Sequence, residues 1–494
     1  MKKVIIIGAG ISGLTAGIYL QKAGFESLIF EKNSIPGGEC TGWKREGVYI
    51  DNCMHFLTGS RYGSDLNKLW NEIDMLGEDV KIYEKKSFFS YENESGKITF
   101  WRDLERTRKE MLELAPYDEE EIEKFIENVK RAESMIIPTE KPADMMKLED
   151  YFSMSHAMKD INIVLEAYKD MNISDFADQF KNPVLKKAFR SILSEEYMAF
   201  SFIVSYATIT AGNGDIPLGG SLMSALRIAK KYDSLGGTIK YNSAVEKIIL
   251  VDDKAKGVIL DNGEEVYADY IVCSTDVNHT FTKLLPEIYM PDQLQDVFED
   301  TENFRVFSGF HVAFIIDCEH SIPKGMNYFE IDEIEIANSK VSAIGINNYD
   351  YDPLIKPNGK SVIQVHLIEN QEDIEFWKKL KKETDSYKNK KSEYAMQIQL
   401  AIEKKYKEVK QHIKCIDVWT PITYEKYCNA YDGAYMAFIV GKDKKFETIP
   451  GVLEDVDNVY IASQWLNGTG GLPCAAAMGK HAALRIAIKE GSNI

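Results

Sequence analysis

The chain has 494 residues, 45% of them hydrophobic and 28% charged, with a net charge of −18 at pH 7. That length is enough to bury a large core and predicts two or more domains. The negative balance argues against nucleic acid as a partner and against broad adsorption to anionic lipid.

The first element is a strand of four apolar β-branched residues, Val4 to Ile7, the mark of burial on both faces. The glycines inside the apolar run, and the lack of a small-residue cleavage site, set it apart from a leader peptide. A turn with Gly8, Gly10 and Gly13 follows, then a helix from about Ser12 to Ala23, closed by Gly24, and a second apolar strand that delivers Glu31. This is a βαβ dinucleotide site in outline. Gly8 permits the turn, Gly10 lets backbone approach a pyrophosphate, and Gly13 lets helix and strand pack closely; the helix N-terminus faces the phosphates. Glu31 is placed to accept hydrogen bonds from a ribose diol. The strand–turn–helix context and the acid about 20 residues on make the fingerprint specific. Pro36, Gly37 and Gly38 form a tight loop whose amides are expected to make a second backbone contact with the same cofactor.

These residues, with EKN, PGGECTGW and YIDNCMHFLTG in that order, resemble the phytoene desaturase, carotenoid isomerase and retinol saturase group of flavin oxidoreductases, within the wider amine-oxidase-like superfamily. The resemblance implies FAD as cofactor, with contacts from Gly8, Gly10, Ser12, Gly13, Glu31, Lys32, Gly37 and Gly38. It implies that Asp51 to Gly59 passes near the flavin ring. Glu39 stands where many members carry Arg, and Cys53 where Gly is usual. His55 is the titratable side chain expected near chemistry, able to move a proton at a substrate carbon or to shape the pocket.

From Ser64 to about Ile216 the pattern turns to helices, with a hairpin over Ser87 to Trp101. Asp103 and Asp118 are expected as N-caps. Met135, Met145, Met146, Met154, Met158 and Met171 are candidates to line a greasy tunnel, or to fill ordinary core. A cofactor-type pattern returns at Pro217. It comprises a helix over Leu222 to Tyr232, four short strands between Thr238 and Tyr267 with a turn at Asp261-Asn262-Gly263, and a buried strand from Tyr270 to Cys273. The resemblance implies that Val245 holds the adenine end through its backbone and that the strand ending near Ser274 passes the cofactor. This second block favours FAD over NAD.

Strands are expected at Phe307 to Ile316 and Ser361 to Leu367, with a charged helical face between Glu369 and Glu408. The segment from Asp417 resembles the T-P-x-T-[FY] stretch of the same family, which implies that it borders the substrate cavity, with Tyr431 and Tyr435 after it as candidates to line it. The last motif is a strand from Val459 to Ala462, the loop Gly468-Thr469-Gly470-Gly471, and a helix from about Leu472. Its N-terminus, at Gly471 and Leu472, would stabilise an anionic reduced flavin ring. Seven scattered cysteines fit a reducing cytoplasm, and eight scattered histidines with no ligand spacing predict no metal site.

The expected fold is α/β: a Rossmann-like FAD-binding domain from residues 1–65, 217–285 and 415–494, and an α+β substrate domain from 66–216 and 286–414. The expected activity is FAD-dependent desaturation, saturation or isomerisation of a hydrophobic polyene or isoprenoid-like substrate. An amine-oxidase-like oxidase and a flavoprotein with structural FAD are the alternatives. The resemblance also leaves NAD(P)H or another electron carrier, and a peripheral membrane contact, as expected partners.

Overall fold

Val4 and Ile6 point to one face of a sheet and Ile5 and Ile7 to the other, and all four are buried. Their strand, Lys3–Ile7, sits at the centre of a five-stranded sheet in a computed structural model that describes residues 1–357, 359–442, 444–468 and 470–492. The order is Thr238–Lys240, Glu26–Phe30, Lys3–Ile7, Tyr270–Cys273, Val459–Ile461, and every pairing is parallel. Central parallel strands need cover on both sides. On the face of Val4 and Ile6 lie three helices, Ile11–Lys22, Gly220–Ser234 and Leu472–Lys489. On the face of Ile5 and Ile7 lies a three-stranded antiparallel sheet, Val245–Val251, Lys254–Leu260 and Glu265–Tyr267.

A seven-stranded sheet forms the second half. Its order is Ile413–Trp419, Ser308–Ile316, Ser361–Glu369, Ser339–Asn348, Gly325–Ile336, Ser87–Asn93, Gly96–Trp101. One face packs on helices that include Leu104–Leu114, Glu119–Ala132, Pro183–Ile192 and Ala199–Thr210, around an aromatic core of Phe89, Phe100, Phe125, Phe189 and Phe202. The other face packs on Gln371–Leu380 and Thr384–Lys405. The edge strand Ile413–Trp419 straddles the expected domain boundary at residue 415 and belongs to this large sheet.

Local expectations fare unevenly. Asp103 caps its helix by accepting from the Arg106 amide. Asp118 does not cap Glu119–Ala132. Its carboxylate accepts instead from the amides of Lys181 and Asn182, at 2.9–3.0 Å, tying two helices together across the core. The charged stretch after Glu369 has a solvated face as expected, but its other face is core: Ile374, Trp377, Tyr394, Ile398 and Ile402 are buried. Among the described residues, no helix is long and apolar enough to cross a membrane.

Candidate active site

The glycine turn closes against the neighbouring strand. Ser274 Oγ donates to the carbonyls of Ile7 and Gly8, at 2.9 Å each. A Cβ on Gly13 would lie 2.1 Å from Gly8 O and 2.3 Å from Ser274 Oγ, so only glycine fits. Gly37 donates to Ala9 O at 2.8 Å and has φ +117°, and its bridge to Gly10 sets the two glycine loops side by side. Beside Gly10 the space where a side chain would stand is empty to 4 Å. The helix Ile11–Lys22 has no side-chain cap, and neither does Leu472–Lys489. Two helix N-termini with free first-turn amides therefore open into one space, an arrangement suited to anionic groups.

That space is a cavity of about 1460 Å³. It exceeds the roughly 300–1,000 Å³ of a single small-molecule pocket and leaves room for a cofactor and a substrate. Of the expected site residues, Gly10, Ser12, Gly37, Gly38, His55, Ser274, Gly471 and Leu472 line it. Thr469 of the same loop lies outside the described residues. Gly8 and Gly13 stand behind the wall and shape it.

Three expected contacts are absent from the wall. Glu31 is buried, but its carboxylate accepts from the Ala9 amide (2.8 Å) and from the amide and side chain of Asn33 (2.8 and 2.9 Å). Lys32 is pinned to Lys426 O, at 2.9 Å, and to Asn429. Val245 opens its strand opposite Leu260 and packs in the core. Of the methionines, Met135 and Met158 reach the cavity, while Met171 packs on the aromatic core. Tyr435 lines the cavity, but Tyr431 turns away onto Phe298 and Trp465.

Glu39 also lines the cavity beside Gly37 and Gly38. Burial, reinforced by the nearby Asp276 carboxylate, pushes it up to about 8. It is mostly neutral at pH 7, so an anionic pyrophosphate can lie next to it.

The far wall holds a cluster that the sequence did not announce. His311 and His366 are paired residues on adjacent antiparallel strands, with Nδ1 atoms 2.6 Å apart. Tyr424 Oη lies 3.1 Å from His311 Nε2 and donates to Asn52 Oδ1 at 3.1 Å. His55 meets His366 edge to face, with ring centroids 4.9 Å apart. Burial lowers all three imidazoles: His55 to about 4, His311 to about 3, and His366 well below the usual range. The cluster is neutral at pH 7. His55 Nδ1 and His366 Nε2 are buried with no hydrogen-bond partner among the described residues. Only the single histidine inside each apolar strand, SGFHVAFII and SVIQVHLIE, could have drawn attention to it.

A family model for flavin-containing amine oxidoreductases matches residues 11–487. The chain is 24% identical to prolycopene isomerase of Daucus carota over 99% of this chain and 80% of that one. It is also 24% identical to 1-hydroxycarotenoid 3,4-desaturase of Flavobacterium sp. (strain P99-3), over 96% of both chains. An oxidoreductase from Methanosarcina mazei shares the fold at TM-score 0.61 and 18% identity, over 99% of this chain and 100% of that one. Putrescine oxidase bound to putrescine does so at TM-score 0.60 and 13% identity, over 99% of both. The expected α/β fold, the expected group of relatives and the expected cofactor, FAD, all agree with these likenesses. With the match spanning nearly its whole length, the chain belongs to the flavin-containing amine oxidoreductase family.

Proposed function

We propose that this protein desaturates, saturates or isomerises carbon–carbon bonds in a hydrophobic, polyene- or isoprenoid-like substrate. The observation that carries this reading is the cavity, which runs unbroken from the glycine loops to an apolar wall that includes Phe56, Phe88, Met198 and Val204. The prolycopene isomerase and carotenoid desaturase likenesses support it.

Gly10, Ser12, Gly37 and Gly38 would hold the FAD pyrophosphate, with Gly8 and Gly13 shaping the turn behind them. Glu31, once released by Asn33, would hold the ribose, Val245 the adenine, and the Gly471–Leu472 helix start the ring. Bound FAD supplies a two-electron acceptor or donor at N5. His55 is neutral from about pH 5 upward and is free at Nδ1, so it can take a proton from a substrate carbon or return one. His366 packs edge to face on His55, and the hydrogen-bonded row from His366 through His311 to Tyr424 fixes the wall against which His55 works. The apolar wall excludes water from the reacting carbons.

Electrons would come from, or go to, NAD(P)H or another carrier. The helix Leu148–Ala157, cytoplasmic-side in this reading, exposes Leu148 and Phe152 (77% and 74%) and leads to Met158 at the cavity, which supports collection of substrate at a membrane surface. A protonated amine substrate fits less well, because the buried cation Lys85 stands in the cavity wall.

The test is an anaerobic absorbance spectrum of the purified holoprotein with NADH, NADPH and a panel of isoprenoid polyenes, followed by product analysis. Loss or gain of hydrogen, or a changed double-bond geometry, in one polyene is the expected result. Inert polyenes, with flavin bleached by a polyamine, would refute the proposal.

A further inference from the structure

Five described lysines and arginines line the cavity. Arg61, Lys169, Lys444 and Lys445 are exposed at its rim, and Lys85 alone is buried, at 7% exposure. Lys85 follows the short strand Ile82–Tyr83 and is fixed there through its backbone. Its amide donates to Asp215 Oδ1 at 3.0 Å, and Asp215 is itself held by Arg102 Nη1 at 2.9 Å. The side chain is left to the cavity. Its Nζ donates to the backbone carbonyl of His55 at 3.3 Å, and no carboxylate among the described residues comes within 4.0 Å of it.

An ammonium taken out of water needs a counter-charge, and a single carbonyl supplies only a partial one. The Asp215 charge acts on it only from beyond ion-pair distance, its Oδ1 being engaged by Arg102 and by the Lys85 amide. The cavity wall to which Lys85 belongs includes the apolar Phe56, Phe88, Val204 and Ala211. Burial pulls Lys85 down only to about 8, so the charge persists at pH 7. A cation held at one point of a largely apolar cavity, bonded to the carbonyl of His55, is an orienting device.

We infer that the substrate carries a carboxylate at one end of its apolar chain, and that the Lys85 ammonium binds this group and sets which carbon lies at His55. This rests on the polyene reading above and narrows it from a neutral hydrocarbon to an amphipathic acid. One buried cation suits one negative charge; a diphosphate would need more. A charge-assisted hydrogen bond in a dry site distinguishes an acid from the alcohol of the same chain by about 10- to 100-fold in affinity.

The experiment measures binding of all-trans-retinoate and all-trans-retinol to the holoprotein, by quenching of protein fluorescence, for the natural chain and for Lys85→Met. Methionine keeps the length and apolar stem of lysine without the charge. Flavin content and melting temperature verify that the variant is folded. The expected result is tighter binding of retinoate than retinol by about tenfold or more, with the difference abolished in K85M and retinol binding unchanged. Equal binding of both by the natural chain, which needs no variant, would overturn the inference while leaving the polyene reading intact. Failure of both to bind would overturn the two together.

Discussion

With the FAD pyrophosphate at Gly37 and Gly38, as proposed, Glu39 should make the affinity for FAD depend on pH. The carboxyl sits in the cavity wall beside Gly37 and Gly38, and burial with Asp276 nearby raises it to about 8. Its neutral form tolerates a pyrophosphate; its ionised form repels one. The competent fraction is about nine-tenths at pH 7 and about one-tenth at pH 9, so the apparent Kd rises about tenfold over that interval. Asp276, raised to about 6, is already ionised throughout and contributes no slope. Glu39→Gln is neutral at every pH, so its Kd stays flat and equals the natural chain's value at pH 7. The same raised pKa works on the apoprotein. Its unfolded state binds fewer protons than the folded state between about 4.5 and 8, so stability falls as pH rises through that window. The assay is fluorescence titration of FAD into apoprotein at constant ionic strength across the two pH values. If E39Q shows the same slope as the natural chain, the argument about Glu39 is wrong.

Gly13→Ala forces a methyl to within 2.1 Å of Gly8 O, and the helix must lift off its strand. It should cost about 1–3 kcal/mol and empty the purified protein of flavin, read from the visible spectrum. His55→Phe should retain flavin and lower kcat by about 10²- to 10⁴-fold if His55 moves the proton; an effect under threefold would reduce it to a wall residue. In the natural chain that step rises with pH only through about 4 and is flat above about 5, which a pH–rate profile reads directly. Trp377→Ala should destabilise by about 3–5 kcal/mol in chemical denaturation. It removes a fully buried ring stacked on Phe310 and takes from the buried Glu369 carboxylate the indole N–H that it accepts from, at 2.6 Å.

Local periodicity and turn chemistry made the glycine block legible. Val4 to Ile7, Gly8, Gly13 and Glu31 act on neighbours within about one βαβ unit, and the strands from Thr238 to Cys273 follow the same rule. What stayed hidden depends on residues far apart in the chain. The His311–His366 pair exists because two strands align in one register, and no local pattern states which residues will oppose each other. Nothing local in Glu84-Lys85-Lys86 marks which residue the fold buries, and the fold takes Lys85 in while leaving Glu84 and Lys86 exposed. Asp118 satisfied every N-cap criterion, but amides some sixty residues on, Lys181 and Asn182, claimed its carboxylate. Glu31, Lys32 and Val245 show the reverse limit: a motif assigns the residue, while its partners in the folded chain decide where its polar atoms go.

The central sheet joins strands near residues 5, 28, 239, 271 and 460, and the fingerprint helix Ile11–Lys22 rests against Leu472–Lys489 so closely that Gly479 has no room for a methyl beside Ser12 O. A ribosome adds roughly 5–20 residues per second, so the first helix emerges about 25–100 s before its last neighbour does. The helix Gly220–Ser234 and the strand Tyr270–Cys273 arrive in between, but until the end of that interval the face that meets Leu472–Lys489 and the edge that pairs with Val459–Ile461 have no cover. Because Gly471 and Leu472 line the same cavity as Gly10 and Gly37, that cavity is complete only once the last helix has been made.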